Sequence, residues 1–328
     1  MKESDILVKK IYGYYITQCI GVAAELGLAD ILGDKTLSVK ELASESIVNE
    51  DALYRMLRLL CSEDIFVEVK DRHFSNSNIS KYLKKDHETS LNGLARLHCD
   101  KLWWNSWGEL RFSIKENKPS TDFVFKKGAF QVMKENKEIN DIFNFAMTNL
   151  SSRDARAVTK VFDFTKFKNV IDIGGGEGAL INGIKNQLSG FKIDFALFDQ
   201  GHVIKKVTLT DINLEFGDFF QSVPKGYDCY ILRHILHDWS DERCETILKN
   251  CVEGMKPNST LLVIELLLEK GKESSIAKYR DMNMLVSMHG GKERYISEYE
   301  KLFLSAGVKL VEVIPLPGQM NILVGKRL

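Results

Sequence analysis

The chain has 328 residues, enough for two domains with sizeable cores. Lys plus Arg matches Asp plus Glu at 45 each, so net charge offers no draw to nucleic acid or a membrane surface. No run approaches the roughly 20 apolar residues that span a bilayer, and the charged N-terminus (Lys2, Glu3, Asp5, Lys9, Lys10) lacks the apolar core of a signal peptide.

Residues 11–32 place Ile16, Ile20, Ala23, Ala24 and Leu28 at helical spacing, which predicts a buried helix pair. Ser38, with Glu41 three residues on, is a capping box that opens the next helix. Residues 49–60 predict another helix, and residues 65–69 with His73 and Phe74 a short hairpin. Helix, turn, helix, hairpin is a winged-helix order. Such a module either reads DNA or holds a dimer together. Arg55 and Arg58 are the only cations of the 49–60 helix, and Glu50 and Asp51 offset them. It lacks the phosphate-contacting charge that a reading helix needs.

Residues 91–159 read as a helical connection and substrate region. The run L-W-W-N-S-W at 102–107 holds three of the four tryptophans. These rings either pack helices together or, through Trp103 and Trp107, wall an aromatic pocket. Within residues 142–151, Phe143 and Met147 stand at i, i+4 and share a helix face.

Residues 169–178, N-V-I-D-I-G-G-G-E-G, carry the most information. Val170, Ile171 and Ile173 predict a buried parallel strand. The chain then breaks into glycines and resumes as an apolar helix (Ala179, Leu180, Ile184, Leu188). Glycines at such a turn bring bare backbone N–H groups against a ligand. The spacing D-x-G-G-G-x-G is neither the dinucleotide G-x-G-x-x-G nor a P-loop. Asp172 would repel a pyrophosphate and suits a ligand with an amino group and a positive charge. Residues 192–199 predict a second strand ending in Asp199, placed to accept hydrogen bonds from two ribose hydroxyls. Residues 214–220 predict a third strand with Asp218 at its end, and residues 227–234 a fourth. Residues 259–268 form a near-continuous apolar run, as in a central strand buried on both faces. Its Glu265 therefore needs a partner. Residues 297–307 predict a helix ending in Gly307. Residues 309–316 and 320–325, joined through Pro317-Gly318, predict a terminal hairpin.

The motifs G-G-G-x-G, F-D, G-D-F-F, L-R-x-x-L-H-D-W-S-D and G-G-K-E-R (290–294) occur in that order. Together they resemble the S-adenosylmethionine-dependent O-methyltransferases of the caffeic-acid and polyketide-tailoring type, from about Gly13 to the C-terminus. The resemblance implies an α/β fold: a Rossmann-like sheet, parallel with a terminal antiparallel strand, plus a mostly helical N-terminal winged-helix dimerisation domain. The expected division is 1–90 for dimerisation, 91–160 for connection and substrate, and 161–328 for cofactor and catalysis. It implies His237 as general base, with Glu265 and Glu293 holding the other ring nitrogen. It implies cofactor contacts from Ser151, Gly174, Gly176, Asp199, Asp218, Phe219, Arg233 and Trp239. Substrate contacts would come from Trp103, Trp107, Phe143, Met147, Met284 and Met288. The chain departs from the family at Gln200-Gly201, where Leu-Pro is usual, and at Arg233, where plant relatives carry Lys.

The chemistry is consistent with this set. A phenol has a pKa near 10, so little phenolate exists at neutral pH. A histidine is poised to take that proton. No motif supports His234 or His289 as the base. No clustered Asp/Asp/Asn set is present, so no metal is expected. Cys19, Cys61, Cys99, Cys229, Cys244 and Cys251 form no C-x-x-C pair and read as reduced thiols of a cytoplasmic protein. The expected activity is methyl transfer to a phenolic hydroxyl of a small aromatic secondary metabolite by a homodimer. The alternatives are a scaffold repurposed for hydroxylation, decarboxylation or pericyclic chemistry, and a non-catalytic ligand-binding regulator.

Overall fold

The computed structural model describes residues 2–328. They form two compact units, each described by itself. The first takes the chain to Trp104 and adds Met133–Leu150; the second takes Asn105–Val132 and Ser151–Leu328.

The first unit opens with α1 (Glu3–Ile11), α2 (Gly13–Glu25) and α3 (Leu28–Leu32). Then follow β1 (Leu37–Ser38), α4 (Val39–Ser46), α5 (Glu50–Ser62), β2 (Phe66–Lys70) and β3 (His73–Asn76). The Ser38–Glu41 capping box forms and starts α4. Asn49 caps α5 by accepting from Ala52 N–H. Leu28, Leu32, Leu42, Leu57, Leu60, Phe66 and Phe74 make the core. By contrast α1 buries no residue, and Ile6, Leu7, Val8, Ile11, Tyr12, Tyr14 and Tyr15 are exposed. The helices that follow are α6 (Asn92–Cys99), α7 (Lys101–Gly108), α8 (Leu110–Glu116), α9 (Ser120–Phe125), α10 (Ala129–Glu135) and α11 (Lys137–Val161).

The second unit is a doubly wound sheet. Its strands are β4 (Asn169–Ile173), β5 (Asp194–Asp199), β6 (Asn213–Phe216), β7 (Cys229–Arg233), β8 (Thr260–Leu266), β9 (Val308–Pro315) and β10 (Met320–Arg327). Their order is β6-β5-β4-β7-β8-β10-β9. All neighbours run parallel except β10, which is antiparallel to β8 and β9. Successive side chains point to opposite faces. Val170, Leu197, Ile231 and Ile264 pack with Leu180, Ile181 and Ile184 of α12 (Ala179–Gln187) and with the end of α11. Ile171, Ala196, Tyr230 and Val263 pack with α14 (Asp241–Gly254) and α16 (Ile296–Ser305), where α13 is Gly201–Ile204 and α15 is Ile276–Ser287. The order reverses at β4, so the turns after β4 and β7 meet at the carboxyl edge, where such sheets bind ligands.

Two strands stop earlier than their sequences suggest. β6 ends at Phe216 because Asp218 Oδ1 accepts from Phe220 N–H at 2.9 Å and turns the chain. β7 ends at Arg233 because His234 takes φ 51°, outside strand geometry.

Candidate functional site

The loop after β4 exposes backbone. Gly174, Gly176 and Gly178 take φ of 71°, 61° and 79°, a region that costs other residues about 1–2 kcal/mol. A Cβ on Gly174 would lie 2.6 Å from Ile235 Cδ1, whereas one on Gly176 would meet nothing within 4 Å. Gly176 N–H donates to Asp199 Oδ2 at 2.8 Å, and Gln200 N–H donates to Asp199 Oδ1 at 2.6 Å. Asp199 thus pins its own turn although Leu-Pro is absent there. Burial holds the Asp199 carboxyl above its ordinary range. Beneath the loop, Asp172 keeps Oδ2 buried and unpartnered, and burial pushes it up to about 7. A buried orphan acid calls for a cation or an N–H donor. An amino-bearing ligand such as S-adenosylmethionine fits that requirement, and a pyrophosphate does not.

At the tip of β7, Arg233 is tied to α11. Its Nε and Nη2 donate to Asp154 Oδ2 at 3.0 and 2.6 Å, and Nη1 donates to Ser151 Oγ at 2.9 Å. The structure therefore joins two residues expected at the cofactor and adds Asp154. The sequence carried a signal for it, because an acid three residues past Ser151 shares its helix face.

Past Arg233 the chain enters a 3-10 turn, Leu236–Asp238. Glu265, fully buried on β8, holds that turn. Its Oε1 accepts from the N–H groups of Ile235, Leu236 and His237 at 3.1, 3.0 and 3.3 Å. Its Oε2 meets His234 Nδ1 at 3.2 Å. From His237 Nδ1 it stands 3.8 Å away, too far for a hydrogen bond. The expectation that Glu265 holds the base's other nitrogen is therefore corrected: it positions the turn and pairs with His234.

Glu293 is the partner of His237. It lies 2.8 Å from His237 Nδ1, and the side chains of His237 and Glu293 are 3% and 0% exposed. The rings of His234 and His237 stack with centroids 4.9 Å apart. Burial raises Glu265 and Glu293 each to about 7, and it pushes His234 well below its ordinary value. His237 Nε2 faces the other way, 3.4 Å from Asp238 Oδ1.

Residues 290–294 lock Glu293 against the turn. A Cβ on Gly291 would come 2.8 Å from His237 O, so only glycine lets the backbones approach. Lys292 N–H donates to His237 O at 2.9 Å. Arg294, fully buried, donates to Leu236 O, Trp239 O and Asp241 Oδ1 at 2.9, 2.8 and 2.9 Å. Asp281 of α15 accepts Glu293 N–H at 3.0 Å. The roles of Arg294 and Asp281 are not legible from spacing. His289 is exposed and contacts Asp122, away from the His237 pair.

Other expected site residues divide between the units. Trp239 packs edge-on to Phe220 and Phe219 at 4.8 and 6.3 Å. The Arg243 guanidinium lies 4.0 Å over Phe220 and 4.7 Å over Trp239. Asp218 is exposed beside them. Trp107 Nε1 donates to Asn283 Oδ1 of α15 at 3.1 Å, and the same helix carries buried Met284 with half-buried Met288 as its C-cap. Trp103, Phe143 and Met147 belong to the first unit. There Trp103 is buried with Nε1 unpartnered, and Phe143 and Met147 are half-buried on one face of α11.

Residues 107–309 match the model of an O-methyltransferase domain, and residues 8–86 that of an O-methyltransferase dimerisation domain. The chain is 33% identical to phenazine O-methyltransferase PhzM of Lysobacter antibioticus, covering 97% of this chain and 95% of the relative. It is 31% identical to 3-amino-4-hydroxybenzoate 4-O-methyltransferase of Streptomyces cremeus, covering 97% and 88%. Its structure is similar to human N-acetylserotonin methyltransferase in complex with S-adenosylmethionine, with a TM-score of 0.90 at 25% identity over 100% and 98% of the two chains. With a glycine cradle over an orphan acid, a buried histidine–carboxylate pair and these matches, the chain belongs to the O-methyltransferase family and is an S-adenosylmethionine-dependent O-methyltransferase.

Proposed function

We propose that this enzyme methylates a phenolic hydroxyl of a small aromatic secondary metabolite, with His237 as general base. The observation that carries this is the 2.8 Å contact between His237 Nδ1 and Glu293 Oε1. Glu293 Oε1 accepts a hydrogen bond from Nδ1–H, so the lone pair of the neutral ring sits on Nε2. Nε2 removes the phenol proton as the oxygen attacks, and Glu293 and Asp238 stabilise the imidazolium that forms. S-adenosylmethionine supplies an electrophilic methyl group on a sulfonium. Ser151, Gly174, Gly176, Asp199, Asp218, Phe219, Arg233 and Trp239 would hold it. Trp103, Trp107, Phe143, Met147, Met284 and Met288 would contact the aromatic ring. A relative named for 3-amino-4-hydroxybenzoate supports an aromatic hydroxyl acceptor.

The same reading makes the enzyme a cytoplasmic homodimer that uses no metal. The exposed apolar residues of α1 and its neighbourhood suit a second copy, in keeping with the dimerisation domain. The six cysteines are free, as a reducing compartment requires. Among the described residues, His234, His237 and Glu265 cluster closely enough for an ion, but Glu265 already accepts three backbone N–H groups.

The test is methyl transfer from labelled S-adenosylmethionine to a panel of hydroxylated aromatics, beside matched anilines and thiols. Label on phenolic oxygen supports the reading. Transfer confined to nitrogen or sulfur, or none with any aromatic, contradicts it.

A further inference from the structure

Arg280 stands on α15 one turn before Met284, so the two share a face at i and i+4, and Met288 follows as the extended C-cap. Arg280 Nε is buried and finds no hydrogen-bond partner. The other described arginines near the His237 turn are committed: Arg233 to Asp154 and Ser151, Arg294 to Asp241 and two carbonyls. α15 packs against the His237 turn, since Asp281, next to Arg280, accepts Glu293 N–H at 3.0 Å, and the charge of Arg280 acts on His234, Asp238 and Glu293.

A plain counter-charge would close on a carboxylate. The acids nearby do not close on it: Glu293 Oε1 holds His237 while its Oε2 has no hydrogen-bond partner, Asp281 accepts Glu293 N–H, and Asp238 faces His237 Nε2. A half-buried guanidinium with an orphan donor, one turn from Met284, is a group awaiting an anion. Its planar fork matches a carboxylate.

We propose that Arg280 is a specificity-determining residue that binds a carboxylate on the aromatic acceptor, so that the preferred substrates are hydroxylated aromatic acids. This deepens the phenol reading above and rests on it.

The experiment compares 3,4-dihydroxybenzoate and caffeate with their methyl esters. Each is titrated into the full-length protein holding S-adenosylhomocysteine, and each is then turned over with S-adenosylmethionine. Wild type, Arg280→Met and Arg280→Lys are used. A charge-assisted contact is worth roughly 10- to 100-fold. The acids should bind and show KM about that much tighter than the esters. Arg280→Met should erase the difference by weakening the acids alone, with ester binding within about threefold, and Arg280→Lys should restore part of it. Acids that bind no better than esters, including no binding at all, would overturn the assignment. So would a variant that weakens acids and esters alike, which marks Arg280 as structural. Acid-selective binding with no methyl transfer would sustain Arg280 as a carboxylate site while sinking the phenol reading, so the two failures are separable.

Discussion

His237 and Glu293 face each other at 2.8 Å across a space almost sealed from solvent. In the proposed mechanism the carboxylate fixes which ring nitrogen carries the proton and supplies charge when the ring becomes cationic. Glu265, on the neighbouring strand, gives its hydrogen bonds to the turn that holds the ring. The two acids look equivalent in sequence and perform different tasks.

That pairing sets a pH dependence. Burial lifts Glu293 to about 7, so it gains a proton as pH falls through that value. A protonated Glu293 donates to Nδ1, which moves the ring proton to Nε2 and removes the base. The kcat should therefore hold above about 7 and fall as pH drops below it. Glu293→Gln should lower kcat by roughly 10²-fold and flatten the limb. An unchanged profile in Glu293→Gln would show that another group titrates.

Glu265 should govern stability. Glu265→Leu leaves three backbone N–H groups buried without an acceptor, at about 1–3 kcal/mol each. A loss of at least ~3 kcal/mol in denaturant unfolding is expected, with Glu265→Gln losing less because its oxygen still accepts. Equal losses in the two variants would contradict the assignment.

Much of this was written in the sequence. The apolar run of β4, the glycine loop, the capped α4 and the terminal hairpin follow from local pattern, because each is set by residues close together in the chain. The division of work between Glu265 and Glu293 was not legible. It depends on the turn at His234, whose positive φ aims three N–H groups at β8. Arg294 was hidden for the same reason: its partners lie far along the chain and meet it only in the fold.

Gly291 tests the backbone approach. Gly291→Ala puts a Cβ 2.8 Å from His237 O and 3.1 Å from Asp238 C, so the turn must move. A displacement near 1 Å costs on the order of 10²-fold in rate. Steady-state kinetics should show kcat falling by that order while S-adenosylmethionine binding, measured by calorimetry, stays close to wild type. Loss of cofactor binding instead would mean that the 290–294 segment serves the cofactor.

The most direct measurement is single-turnover methyl transfer by His237→Ala beside wild type, using a phenol that wild type methylates, with cofactor binding measured in parallel. The account predicts a rate lower by roughly 10²–10⁴-fold and an unchanged cofactor affinity. A variant that transfers the methyl group at the wild-type rate would contradict His237 as the base.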